Sequence, residues 1–487
     1  MPLILGSQSA LATGFTVDNC SRWNVEGRME RDFTAGDPDT WTFSCWFKGG
    51  PWTSGYPKIL QGVDPAVAGD NADTSLQIDT SDKLTFVNWN SGYDGQRTTT
   101  QSFVDTGAWY HFVCVYDSGN GTPADRIKMY LNGVQITAFT TETNPSLNED
   151  SNFNKASPQC TMHLGSHFGR DDTGRWHGYM AEVCFIDGTV YTASDFGEFN
   201  ADSPTIWQPI DPSGLTFGTN GLYLDFKDSA NLGNDVSGNN NDLTEANFTA
   251  ADQGTDSPTN NFCTLNSTEY MGNSNPTFSE GNCQYVQGGT SKYFPSSGTV
   301  GMTSGKWYWE VQTTDGAKNG ALHGIAGDAG IQTNMIGSDN SVIGYSAQQW
   351  AISAIGSGYK NNNAYTTYGV GFYGNVIIGV YLDLDNNKLY FASGGTIMQS
   401  GTGIDITAAA STKAGYYVPS SSYHGGSDTF QYNFGGCSAF DVTSAQQDAN
   451  GYGNFEYSPN DGGSASFDGS AKDFLAVCTK NLGSDGG

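Results

Sequence analysis

Positive charge is scarce in this chain. Lys and Arg number 21 against 50 Asp and Glu, a formal net charge of −29 over 487 residues. No cluster of basic residues occurs, so a phosphate backbone would be repelled and adsorption to an anionic membrane is disfavoured. Such acidity suits solubility, high salt and weak divalent-cation sites. Long apolar runs are missing too. The opening "MPLILGSQSALATGF" has no basic residue near Met1, breaks at Gly6 and is too short to span a bilayer. The expectation is synthesis in a cytoplasm, with no nucleic-acid partner and no membrane insertion. Cysteine pairing signals are absent: the nine Cys include no C-x-x-C, and Cys45, Cys114 and Cys184 sit inside apolar alternation, as buried thiols do. The six His show no H-x-x-x-H or Cys/His spacing suited to zinc or iron. No long stretch carries a capped helical period.

What is present is glycine (64 residues) and aromatics (13%), with charged residues held to 15%. Short strands joined by Gly, Asn, Ser and Asp turns have this profile, and the length predicts more than one domain, so the fold class is all-β with sandwiches in tandem. Two hairpins illustrate it. In "IKMYLNGVQITAF" (127–139) Ile127, Met129 and Leu131 alternate with polar residues up to Asn132-Gly133, which suits a type I′ turn. In "VYLDLDNNKLYFA" (380–392) the alternation runs through Val380, Leu382 and Leu384, turns at Asn386-Asn387, and resumes at Leu389 and Phe391. "TWTFSCWFK" (40–48) puts Trp41, Phe43, Cys45 and Phe47 on one strand face, "SLQIDTSDKLTFVNWN" (75–90) reads as a hairpin around Ser81-Asp82, and "TASDFGEF" (192–199) starts like a short helix.

The order of "WTFSCWFK", "AWYHFVCVYD", "IKMYLNGVQI", "MHLGS" and "RWHGYMAEVCFIDGTVYTASDF" resembles laminin-G-like, concanavalin-A-like jelly-roll domains, and assigns residues 15–209 to one. Residues 1–14 form an apolar segment, in which Pro2 to Leu5 could anchor the chain to a virion or subunit or simply add a strand. Residues 210–278 read as a linker and an extended Asn/Asp/Gly-rich arm lying over a neighbouring domain. In 279–440, "GKWYWEVQ", "ALHGIAGD", "VIGYS", "GNVIIGVYLDLDNNKLYFASGG" and "TFQYNFG" resemble a SPRY domain, with Asn375 where that family often has Asp. Residues 441–487 read as a tail packing back on it. Taken together, the apolar start, "WTFSCW", the "LYLDF…SGNNNDLT…DSPTNNF" arm, "SGKWYWE" and "FLAVCTKNL" resemble virion proteins of marine tailed bacteriophages. That resemblance implies a tail-fibre-like, host-attachment component on the virion exterior, homo-oligomeric and plausibly trimeric, with other virion proteins and a host-surface glycan or protein as partners.

Motifs of catalysis are lacking. A glucanase of the concanavalin-like fold needs acids at period two on one strand face, as in E-x-D-x-x-E, and Glu182 and Asp187 in "AEVCFID" are an odd step apart. There is no G-x-S-x-G elbow and no phosphate loop ending in GK[ST]. The expectation is a non-enzymatic binding protein; the alternatives are a capsid decoration or head-fibre protein without a receptor and, more remotely, a polysaccharide hydrolase. Loops that mix aromatic, amide and charged side chains suit sugars, whose apolar faces stack on rings while their hydroxyls hydrogen-bond. They nominate Trp52 and Tyr56; Trp89, Tyr93 and Arg97; His167, Arg170 and Trp176; and Tyr359, Tyr365 and Tyr368. Each has a plainer reading. Trp89 ends an alternating strand, Trp176 sits where the jelly-roll family plugs its sandwich edge, and the Tyr run could cover a sheet. His111 and His163 read as structural. No cofactor is required, although Asp171 and Asp172 in "GRDDTG" and Asp70 and Asp73 in "GDNADTS" have the hard oxygens of one structural Ca²⁺.

Overall fold

A computed structural model describes residues 4–5, 14–24, 26–50, 55–67, 72–168, 174–268, 276–287, 296–314, 320–328, 342–354, 358–369, 372, 375–423, 428–460 and 467–485. The chain divides into two compact units: Ala12–Val104 with Ala108–Thr259, and Asn260–Gly487 with Met1–Leu11 and Asp105–Gly107. The span 210–278, set apart from sequence as linker and arm, is thus shared between the units at Thr259/Asn260.

The first unit is a sandwich of two sheets, each eight strands wide among the described residues. The back sheet is centred on Thr40–Gly49, Trp109–Asp117 and Gly178–Asp187. Period two works as the sequence implies: Trp41, Phe43, Cys45 and Phe47 all enter the core, while Thr42, Ser44 and Lys48 point the other way. Asn132 and Gly133 take φ of 47° and 80°, the two positive values a type I′ turn requires, and join Ile127–Leu131 to a strand of only Val134–Gln135. All nine Cys are buried. "TASDFGEF" opens with a single 3₁₀ turn, Ala193–Asp195, closed by a Thr192/Asp195 capping box.

The Asn/Asp/Gly-rich segment adds strands to this unit. Leu222–Leu224 pairs with Gly178–Asp187, Thr244–Ala246 with Arg28–Asp32, and Gln253–Gly254 with Cys20–Trp23. Five of its apolar residues, Leu222, Leu224, Phe226, Leu232 and Leu243, are buried in the core. Its polar residues satisfy the turns: Asp235 accepts from the amides of Tyr223, Ser237 and Asn241. Two buried ion pairs, Arg22–Asp252 at 3.0 Å and Lys48–Asp256 at 2.7 Å, hold its last stretch. Residues 193–217 cover the outer face of the back sheet, where Phe196 and Phe217 pack with Val113, Val115, Cys184 and Ile186. The front sheet runs in the order Phe139–Thr143, Tyr93–Ser102, Lys83–Asn90, Ala72–Ile78, Lys58–Val63, Thr161–Leu164, Arg28–Asp32, Thr244–Ala246.

The second unit is also an antiparallel sandwich, with nine- and six-stranded sheets among the described residues. Trp307, Trp309 and Val311 of Lys306–Thr313 face its core, and Tyr308 and Glu310 face out. That outer face is covered by Phe455, Phe467 and Phe474 of the tail, and Leu475–Ala476 pairs in parallel with Trp307–Tyr308. The backbone of Ile4–Leu5 pairs in parallel with Val300–Gly301 of this same unit; the rest of the 1–13 segment lies outside the described residues.

Candidate functional site

On the front sheet of the first unit, Leu76, Ile78, Leu84 and Phe86 point into the core. The strand period then sends Asp73, Ser75, Gln77, Thr85, Val87 and Trp89 to the opposite face. There all of these but Ser75 line a groove of about 630 Å³ together with Tyr56, Lys58, Tyr93 and Gln96. The hairpin turn at Ser91-Gly92 brings Trp89 against Tyr93, ring centroids 4.6 Å apart and nearly perpendicular at 82°. Tyr93 is 53% exposed and Tyr56 45%. These positions are diagonal to one another: Trp89 pairs with Asp73, whereas the Ile78 amide donates to Pro57 O beside Tyr56.

The floor between the aromatics is polar. Lys58 is buried and its ammonium donates to Asp73 Oδ2 at 3.2 Å, to Ser75 Oγ at 3.0 Å and to Gln77 Oε1. An ammonium has three N–H donors, and these three acceptors engage them all. Ser75 Oγ also lies 3.2 Å from Asp73 Oδ2. Asp73 is only 4% exposed, and its Oδ1 has no hydrogen-bond partner among the described residues. A buried carboxylate oxygen in that state carries a desolvation cost of about 1–3 kcal/mol that a donor would relieve. His167 donates Nδ1–H to Phe168 O at 2.7 Å. Further across the same face, burial pushes the His163 imidazole down to about 4, which leaves it neutral at pH 7.

The loop nominations divide accordingly. The groove unites Tyr56, Trp89, Tyr93 and His167. Trp52 and Arg170 lie outside the described residues, as do Asp70, Asp171 and Asp172. Arg97 is a correction: it sits on the inward face of its strand, 1% exposed, donating to Thr143 O and Asn144 Oδ1 and lying over the Phe139 ring. Trp176 is a second: fully buried and edge-on to Phe47 at 5.4 Å, it fills the sandwich edge. Of the calcium nominations Asp73 is described, and its Oδ2 accepts from Lys58; no group of three or more His, Cys, Asp or Glu that could hold a metal occurs among the described residues. Tyr359, Tyr365 and Tyr368 belong to the second unit. Tyr368 is buried and donates to Thr402 O, Tyr359 packs edge-on to it, and Tyr365 is exposed on the strand Ala364–Thr367 beside Lys360. Lys58, Gln77 and Gln96 were not nominated. For Gln77 alone a signal was available, the polar alternation Asp73-x-Ser75-x-Gln77 along one strand face.

Glu182 stands at a register break in Gly178–Asp187 with φ of 49° and faces Tyr223 under the covering layer. Asp187 accepts from the amides of Asp37 and Asn220. Neither lines the groove. The His111 ring accepts from Trp207 Nε1–H at Nδ1, so Nε2 carries the proton toward Ser44 Oγ; the pair therefore cannot take a proton from the serine.

A family model for the concanavalin A-like lectin/glucanases superfamily, laminin G type, matches residues 30–193. The first sandwich is concanavalin A-like. No curated protein matches the chain. Among solved structures, the SPRY domain of human HERC1 is similar at 12% identity and a TM-score of 0.28, covering 36% of this chain and 99% of that one. Stonustoxin is similar at 21% identity and a TM-score of 0.26, covering 35% of this chain and 27% of that one. A candidate carbohydrate-binding protein of Bacteroides ovatus is similar at 15% identity and a TM-score of 0.35, covering 50% of this chain and 60% of that one.

Proposed function

We propose that this chain is a non-enzymatic glycan-binding protein whose concanavalin A-like sandwich holds its ligand in the front-sheet groove. The observation that carries this reading is a polar floor with exposed aromatic side chains at both ends, Tyr56 at one and the Trp89/Tyr93 pair at the other. Aromatic faces take the apolar faces of pyranose rings, and amide and carboxylate side chains take their hydroxyls. The superfamily match to residues 30–193 and the carbohydrate-binding description of the Bacteroides protein agree with it. The test is glycan-array binding of the full chain and of Trp89→Ala with Tyr93→Ala. Binding to one glycan class that the double variant loses supports the reading; equal binding by the variant sinks it.

The setting proposed is the outer surface of a phage virion during host attachment, which rests on the motif order along the chain. Several copies would raise a weak glycan affinity by avidity. Immunogold labelling of particles from the source separates the cases. Gold on the tail supports attachment, gold over the head moves the protein to capsid decoration, and particles left unlabelled by a good antibody overturn the virion setting.

A further inference from the structure

We infer that the groove selects a neutral, linear glycan, reading a stretch of about three hexose units and excluding sulfated or uronic chains. The inference rests on the glycan reading above and adds the ligand's charge and length. Charge comes first. Lys58 is the lone lysine or arginine among the described lining residues, and all three of its N–H donors are engaged within the floor. It therefore has no donor left for a sulfate or carboxylate. What the floor does offer is an acceptor: Asp73 Oδ1, buried and without a partner among the described residues. A hydroxyl can donate to that oxygen, whereas a sulfate or carboxylate would set a second acceptor against it with no donor between them. Asp79 also lines the groove, and the chain as a whole carries −29. Both add to the repulsion of anions.

Length follows from register. The aromatic pair stands level with Asp73, and Tyr56 stands level with Ile78 on the same strand. At ~3.4 Å per residue, Asp73 and Ile78 are about 17 Å apart along the strand, so a chain lying along the strands covers about three hexose units between the levels of the two aromatic ends, which are themselves offset by two strands. Gln77 lies between the two aromatic ends, and Gln96 lies beside them on the neighbouring hairpin strand.

The experiment is calorimetric titration of the full chain with neutral oligosaccharides (β-1,3-glucose, β-1,4-glucose and β-1,4-mannose series, one to six units) and with hexamers of galacturonate and heparin. The expected result is a neutral series whose affinity climbs to about three units and then levels. Binding should be insensitive to salt and weakened about tenfold in Asp73→Asn. Near-UV circular dichroism checks that this variant is folded. Should it not fold, the half-buried Gln96→Ala must show the loss instead, about threefold. Binding of the anionic hexamers, reduced by Trp89→Ala, would overturn the charge selection and leave glycan binding standing. A neutral ligand held equally by folded Asp73→Asn and by Gln96→Ala would overturn the floor assignment. Failure of every oligosaccharide overturns this inference and glycan binding together.

Discussion

Asp73 in the first sandwich and Glu310 in the second stand on the outer face of a sheet, each almost wholly removed from water, and their surroundings differ in an instructive way. Glu310 lies beneath the tail. Its Oε1 accepts from Tyr308 OH at 2.9 Å and the Tyr457 amide at 2.7 Å, and its Oε2 from Asn433 Nδ2 at 2.9 Å and the Glu456 amide at 3.1 Å. Asp73 lies on the face that carries the groove, with one oxygen shared between Lys58 and Ser75 and the other unused. Where a chain segment covers the sheet, the carboxylate fastens that segment. Where the sheet stays open, the carboxylate keeps an acceptor for a ligand. A half-satisfied buried acid in a folded protein thus marks function more sharply than a fully satisfied one.

The comparison can be broken most severely at Glu310. Glu310→Ala strands four donors, two of them backbone amides of the tail, and should destabilise the second unit by about 3–5 kcal/mol in denaturant titration. Loss below about 1 kcal/mol would mean the tail is held without it. The same residue predicts a pH trend. Burial, outweighing the four donors, raises its carboxyl from the ordinary 4.5 to about 7. The folded state therefore binds the proton more tightly. The stabilisation is complete below pH ~4.5 and is lost as pH rises through about 7, a change of about 3 kcal/mol at most. Glu310→Gln should flatten that slope in melting curves of the second unit taken from pH 4 to 8.

Lys58→Met tests the other side by leaving Asp73 buried and unpaired, with a cost to the first unit of about 3–5 kcal/mol. Combining it with Asp73→Leu should restore most of the loss, since a buried pair is worth little against apolar replacement. If the double variant is no better than the single, the pair contributes more than charge neutralisation. The smallest stability effect belongs to Trp89→Ala, within about 1 kcal/mol because the ring is half-buried on the outer face, while glycan affinity falls at least tenfold. A large stability loss with unchanged affinity would make Trp89 a packing residue.

Much of the scaffold was legible from alternation. The inward set Trp41, Phe43, Cys45 and Phe47, the Asn132-Gly133 turn and the buried thiols follow from side-chain period, positive φ and apolar context, which are local properties. The candidate site was legible only in part. Trp89, Tyr93 and Tyr56 carry a loop signature, yet Trp176 and Arg97 carry the same one and prove to be buried. Which way an aromatic or guanidinium at a loop–strand junction turns depends on register against the neighbouring strand, and one residue of slip reverses it.

The residue pattern by itself determined an all-β chain of tandem sandwiches, its turns and its strand faces, because each depends on neighbours within a few positions. Tertiary structure alone decided that the Asn/Asp/Gly-rich segment completes the first sandwich, because the five apolar residues it buries find their core only when distant strands accept them as partners. It also decided that Lys58 spends its charge on Asp73, 15 positions away, and leaves one oxygen free. Pairing between strands sets which polar groups satisfy one another and which remain for a ligand, and that pairing is a property of the folded sheet.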